Sequence, residues 1–173
     1  MLEAAKYSAV ETLRNGRRVE IRALQPEDRP DLIAAVHSMS TNSLSRRFFA
    51  VRREFTESET SYFVNVDFIN HVALVAVLEE NRQSTIVGGG RYVVVEPGRA
   101  EVAFAVVDQY QGQGIGAALM HHLCAIAGAA NLRELIAEVL PENVAMLKVF
   151  ENSGFPINTV RDFGVVHVTI RLS

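Results

Sequence analysis

Val72 to Leu78 is a run of seven apolar residues with no polar interruption. Such a run fits a strand buried on both faces of a sheet. Arg18 to Leu24 behaves differently, setting Val19, Ile21 and Ala23 against Arg18, Glu20 and Arg22. That period of two predicts a strand with one wet face. Ile86 to Val95 reads as a further strand, interrupted by Gly88-Gly89-Gly90. Glycines inside a strand mark a bulge or a close backbone approach. Glu101 to Val107 and Leu135 to Leu140 predict two more buried strands, and Val165 to Leu172 closes the chain with alternation. Helical spacing appears between them. Ile115, Leu119, Leu123 and Ile126 share one face of a helix over 115–130. Leu32, Ala35 and Val36 form the stripe of a helix opened by Pro26-Glu27-Asp28, where proline and acids suit the first turn. Two short helices are predicted at 43–49 and 57–64, and another at 143–151, stopped by Gly154. Turns fall at Asn15-Gly16, at 79–83 and at Pro97-Gly98.

The middle of the chain is therefore an antiparallel meander. The unit strand 101–107, helix 115–130, strand 135–140 is a parallel β-α-β crossover, right-handed by default. Together they predict an α/β fold with one mixed sheet. At 173 residues the chain suits one domain, with residues 1–16 as a short leader and 17–173 as the domain. An apolar share of 49% supplies its core.

Charge narrows the function. The net charge of −3 argues against a dedicated nucleic-acid binder, which carries a basic excess. The single cysteine, Cys124, excludes an intrachain disulfide and suits a reducing compartment. The first residues carry Glu3 and no long apolar core, unlike a signal peptide. No apolar run approaches the ~20 residues that span a bilayer. A cytoplasmic protein with no membrane or nucleic-acid partner is the expectation.

The chemistry gathers after the strand at 101–107. Gln111-Gly112-Gln113-Gly114-Ile115-Gly116-Ala117 leads directly into a helix. Glycines admit close approach, the first helical amides lack partners, and the helix dipole adds positive potential. A phosphate or pyrophosphate is the natural ligand. A P-loop would end in Gly-Lys-Ser/Thr, but Ala117-Ala118 stands there. A dinucleotide site fits Gly112, Gly114 and Ala117 in its permissive form, with Glu138 at the right distance. Glu138 lies mid-strand, however, and too little chain remains for a second mononucleotide half. A glycine turn with no ligand is the bland alternative.

Gln111 to Gly116 also resembles the Q/R-x-x-G-x-G/A acyl-CoA signature of the GNAT superfamily of N-acetyltransferases. The resemblance runs from about Arg18 to the end of the chain. It takes in Val106-Val107 before the loop, Pro141-Glu142-Asn143 opening the next helix, and Phe150-Glu151-Asn152-Ser153-Gly154-Phe155 closing it. Ser45-Arg46-Arg47-Phe48-Phe49 and Glu101-Val102-Ala103-Phe104 are most similar to bacterial protein-lysine acetyltransferases that act on acyl-CoA synthetases. The resemblance implies acetyl-CoA as co-substrate. Its pantetheine arm would insert where the strands at 101–107 and 135–140 splay. Main chain at Ala105, Val106 and Val107 would pair with the arm, and amides of residues 112–117 would hold the pyrophosphate. Asn143 would touch the arm, or serve as a plain N-cap, or both.

An ammonium cannot attack a thioester, so the reaction needs a base and a place for an oxyanion. Glu101 is the candidate base. It opens an apolar strand, whose surroundings disfavour the charged carboxylate, and it matches the general-base glutamate of the resembling enzymes. A solvated strand-end glutamate is the bland alternative. The Val107 amide is the candidate oxyanion donor. Relatives often carry a tyrosine general acid where this chain has Phe150, which has no proton to give and instead packs against the cofactor arm or the core.

Other residues carry less. His71 is a possible second base but more naturally caps or fills. His121 and His122 are adjacent on a helix and diverge by about 100°, so they form no i, i+4 metal pair. No metal site is expected. Cys124 reads as a small core residue. Arg46, Arg47, Arg52 and Arg53 could face the acceptor or the cofactor's outer phosphate, though a solvated surface is the more ordinary place for such charges. Three acceptor classes stay open: a protein lysine, a small amine such as a polyamine or aminoglycoside, or none, in an acyl-CoA sensor.

Overall fold

The computed structural model describes residues 3–38 and 56–173. The Ser45-Arg46-Arg47-Phe48-Phe49 stretch, the helix expected at 43–49 and the arginines Arg46, Arg47, Arg52 and Arg53 lie outside those residues.

The apolar runs assemble into one eight-stranded sheet. Its strands are β1 (Ser8–Thr12), β2 (Arg18–Ala23), β3 (His71–Glu80), β4 (Gln83–Glu96), β5 (Arg99–Val106), β6 (Glu134–Val139), β7 (Ile157–Asp162) and β8 (Val165–Arg171). The spatial order is β1-β2-β3-β4-β5-β6-β8-β7. Every neighbouring pair is antiparallel except β5 and β6. The expected mixed sheet, with a meander and one parallel crossover, is the fold observed.

Among the described residues, four α-helices cover the sheet: α1 (Arg29–His37), α2 (Glu57–Val64), α3 (Ile115–Ala129) and α4 (Val144–Glu151). The stripes foreseen for α1 and α3 are buried, including Leu32, Ala35, Val36, Leu119 and Leu123. Thr56 and Glu59 close a capping box at the start of α2, each satisfying the other's amide. Pro26–Asp28 is a short 3₁₀ turn, and Asp28 is fixed there by two 2.8 Å bonds from Arg22.

The glycine triplet does both things its composition allows. The β3–β4 register slips between Ala76 and Val77, opposite Gly88, which is a bulge. A Cβ on Gly90 would stand 2.6 Å from Phe104 Cδ1 and 2.9 Å from Leu123 Cδ1. The contact places Gly90 and Phe104 on the face that α3 covers. Strand alternation then puts Arg91, Ala103 and Glu101 on the opposite face, toward α2.

Two strands escape the sequence pattern. Residues 8–12, expected in a leader, form β1 and pair with β2 from Ser8↔Arg22 to Thr12↔Arg18. β7 pairs with β8 at the far edge. Both are edge strands with little burial, so hydrophobic alternation gives no signal for them. The turn expected over 79–83 shrinks to Asn81-Arg82, at φ 52° and 65°. Positive φ at both central residues suits a two-residue hairpin and lets β3 and β4 run further than expected. No helix among the described residues is long and apolar enough to cross a membrane.

Candidate functional site

The parallel pair is short. β5 and β6 are in register only at Arg99↔Glu134, Ala100↔Leu135 and Glu101↔Ile136. β5 continues to Val106, while β6 stays paired with β8 as far as Val139↔Val166. Beyond Glu101 the two strands part, leaving the 102–106 edge of β5 facing a gap. The backbone groups on that edge can take hydrogen bonds from an extended ligand as a missing strand would.

Which amides face the gap follows from alternation. Val107 N donates to Val87 O at 2.8 Å, so it serves β4 and not an oxyanion. This corrects the expectation for Val107. Successive residues of a strand present their N–H and C=O to opposite sides. Val106 therefore faces the gap, and its carbonyl accepts from Gln111 Nε2 at 3.2 Å. Ala105, the residue between the gap-facing pair Phe104 and Val106, turns its backbone toward Gly89.

At the mouth of the gap lies the glycine loop. Gly112 (φ 80°) and Gly114 (φ 97°) take left-handed backbone, and Gly114 is the N-cap of α3 with no side-chain cap. A Cβ at Gly112 or Gly114 would meet nothing within 4 Å, so the loop's outer side is open. A Cβ at Gly116 would come 3.3 Å from Val149 Cγ2, because α3 begins hard against α4. The amides of Ile115, Gly116 and Ala117 start the helix and have no carbonyl one turn earlier. Gln113 is held outward by Asn15 Nδ2 at 3.0 Å. Beside the loop runs an open cleft of about 410 Å³ bordered by Arg14, Gln113, Gly114, Ala117 and His121. Open amides, a helix N-terminus and a strand edge with no partner strand fit a pyrophosphate followed by an amide-bearing arm.

Asn143 caps α4, its side chain accepting from Met146 N at 3.2 Å. The cap reading of this residue is thus observed. Phe150 is 1% exposed and packs against Phe104, ring centroids 5.8 Å apart. Its ring belongs to the core beneath the loop. Cys124 is buried too, and burial pushes its thiol up to about 12, where it carries no thiolate at neutral pH.

Glu101 is 5% exposed and sits at the last rung before the strands part, between Val93 and Ile136. Around it the sheet face is polar in a way the sequence analysis missed. Of the six buried polar or charged residues described, Thr60, His71, Arg91 and Glu101 gather on the α2 side. His71 opens β3 because Asp67 Oδ1 accepts three amides at 2.9 Å, from Ile69, Asn70 and His71. Arg91 Nη1 donates to Phe63 O at 3.1 Å and to His71 Nε2 at 2.9 Å, and its guanidinium lies 5.0 Å from the Phe63 ring centre. An arginine has only donors, so Nε2 of His71 accepts and Nδ1 carries the proton. Burial, then the Arg91 charge, lowers His71 to about 4 despite Asp67, so it is neutral at pH 7. Burial lowers Arg91 to about 10, which leaves it charged. A lone arginine among apolar strand positions was the available signal for this cluster.

His122 is a second buried polar anchor, on the α3 side. Its Nδ1 meets Tyr7 Oη and its Nε2 meets Glu11 Oε1 at 2.7 Å, which ties α3 to the first strand. Glu57 pairs with Arg29, and Glu138 stands 4.0 Å from His167. No group of three or more metal-binding side chains converges among the described residues.

Fold and site together define an acyl-CoA-dependent transferase. The family model of the GNAT acetyltransferases matches residues 38–155, and the chain belongs to that family. It is 32% identical to an acetyltransferase of Pseudomonas aeruginosa, over 84% of this chain and 79% of that protein. It is 33% identical to the acetyltransferase Pat of Mycolicibacterium smegmatis over 89% of this chain, which spans 46% of Pat. The crystal structure of the GNAT domain of S. lividans PAT superposes with a TM-score of 0.84 at 30% identity, covering 95% of this chain and 96% of that one. The protein is an acetyltransferase, and acetyl-CoA is its acyl donor.

Proposed function

We propose that this acetyltransferase transfers the acetyl group to the side-chain amine of a protein lysine, with Glu101 as general base. One observation carries the reading: a buried carboxylate stands on the last rung of the parallel pair, where the strand edge opens. Glu101 removes a proton from the incoming ammonium, directly or through a water. The neutral nitrogen then attacks the thioester carbonyl, its new C–N bond replaces the C–S bond as CoA leaves as the thiolate, and the second nitrogen proton passes to that thiolate or to water. The amide of Val106 serves the developing oxyanion, since alternation points it into the gap. The amides at 112–117, with Gln111, hold the pyrophosphate; Ala105 to Val107 flank the arm; Asn143 stands on its far side, and Phe150 supports the site from the core beneath. The leaving thiolate needs no acid from Phe150, because a thiol ionises far more readily than an alcohol.

The similarity to Pat and to the GNAT domain of S. lividans PAT supports a protein acceptor, as does the resemblance of the Glu101 strand to enzymes acting on acyl-CoA synthetases. Because the chain spans under half of Pat, nothing of the remainder of that protein is carried over. The test is Glu101→Gln. Acetyl-CoA binding should persist while turnover falls roughly 10²- to 10⁴-fold. Full activity of this variant from pH 6 to 9 removes Glu101 from the mechanism.

A further inference from the structure

We propose that Arg91, anchored by His71, is a positioning residue that acts through Glu101. The proposal rests on the reading of Glu101 as the base.

The sheet register makes the case. His71 pairs with Val93, and Val93 pairs with Glu101, so His71 and Glu101 occupy one rung, two strands apart, on one face. The next rung inward is Ala73, Arg91 and Ala103, on the same face. Arg91 and Glu101 are therefore diagonal neighbours on adjacent strands. Diagonal Cβ atoms stand about 7 Å apart, within reach of an arginine side chain. The guanidinium is held from three directions: the Phe63 carbonyl, the His71 ring and the Phe63 ring face. Tyr62 packs on the outer side of His71 at 5.0 Å between ring centres. Arg91 is 3% exposed, so water screens its charge little.

A fixed buried cation on this face has two effects. It favours the ionised form of a carboxylate one rung away, so Glu101 stays ready to accept a proton near neutral pH. It also limits where the carboxylate can lie, which matters because a misplaced base costs rate steeply. His71 accepts from the guanidinium and so fixes its position. His71 is held neutral for that purpose and is not itself the base.

The test is a double-mutant cycle between Arg91→Met and Glu101→Gln, read as pH profiles of kcat/KM. Arg91→Met should lower kcat by about 10- to 100-fold, with the acetyl-CoA KM changed by less than about two-fold. The acidic limb of its profile should move upward by about one pH unit, and Arg91→Lys should restore the limb. In the Glu101→Gln background, Arg91→Met should cost less than about two-fold more. If Arg91→Met does not fold, His71→Phe takes its place. It keeps a ring against Tyr62, removes the acceptor and should move the same limb, while His71→Gln keeps an acceptor and should not. An unmoved limb, with losses that multiply in the Glu101→Gln background, overturns the inference and leaves Arg91 as a core residue. A fully active Glu101→Gln enzyme is a different outcome: it removes the base itself and this inference with it.

Discussion

Gly114 has φ 97° and open space where a Cβ would stand, facing the side from which a pyrophosphate would approach. Two constraints therefore meet at one residue. The backbone conformation favours glycine, and a side chain would occupy the approach to the helix amides. Gly114→Val should lower the melting temperature modestly through backbone strain and should also erase the stabilisation by ligand. For the parent protein, acetyl-CoA at 100 times its dissociation constant should add roughly 2.7 kcal/mol. Melting curves with and without acetyl-CoA separate the two effects; a retained ligand shift in the variant places the pyrophosphate elsewhere. Gly112, Gly114 and Gly116 were legible in the sequence because three glycines before an apolar-periodic helix are a local signal. Val107 was not. Which side of a strand an amide faces depends on pairing, and the β4–β5 register that sets Gly88 opposite Val106 continues into the bond from Val107 N to Val87 O. Only the register shows that Val106 faces the gap.

At the scale of elements, the central strands and α3 were visible because burial leaves long apolar runs or a clear stripe. The edge strands were invisible for the converse reason. β7 reads Ile-Asn-Thr-Val-Arg-Asp, nearly all exposed, and is a strand only because β8 offers it a ladder. The cluster on the α2 side is equally a product of tertiary pairing, joining β3, β4 and β5 through residues up to 30 positions apart in sequence, from His71 to Glu101. It has a consequence for stability. His71 titrates at about 4 when folded, against an ordinary value of 6.5. Across that window the unfolded chain binds more protons than the folded one, so lowering the pH favours unfolding. The contribution of His71 is complete above about pH 6.5 and is lost as the pH falls toward 4. Urea unfolding over this range should show stability falling by up to ~1.4 kcal/mol per pH unit from this group. His71→Gln should flatten that slope, and an unchanged slope would place His71 in solvent.

For the whole molecule, the open question is which amine comes to the gap. A small polycation in a desolvated pocket needs each ammonium paired, since an unpaired buried charge is costly. Among the described residues, the strands that part offer Glu101, Glu134 and Glu138 as carboxylates; Glu134 is paired with Arg99, and Glu138 already lies near His167. On α2, Glu57 pairs with Arg29 and Glu59 completes the capping box, so both hold the helix in place. Arg91 adds a fixed positive charge beneath the same face. This balance suits one ammonium delivered to one base and disfavours a ligand carrying several. A lysine on a folded protein meets that condition, because its remaining recognition comes from the surface around it. The decisive measurement is kcat/KM for a purified acyl-CoA synthetase against spermidine, free lysine and aminoglycosides. The synthetase should lead, and spermidine should trail free lysine because its extra charges are unmatched. Raising the ionic strength should weaken the protein reaction more than the reaction with free lysine, since a shared surface brings more charge pairs. If a small amine leads by about tenfold, a gap of ~1.4 kcal/mol in transition-state binding, the protein acceptor is wrong. Whichever acceptor leads, Arg91→Met should raise kcat/KM for spermidine relative to free lysine, because the charge that repels the polycation is gone.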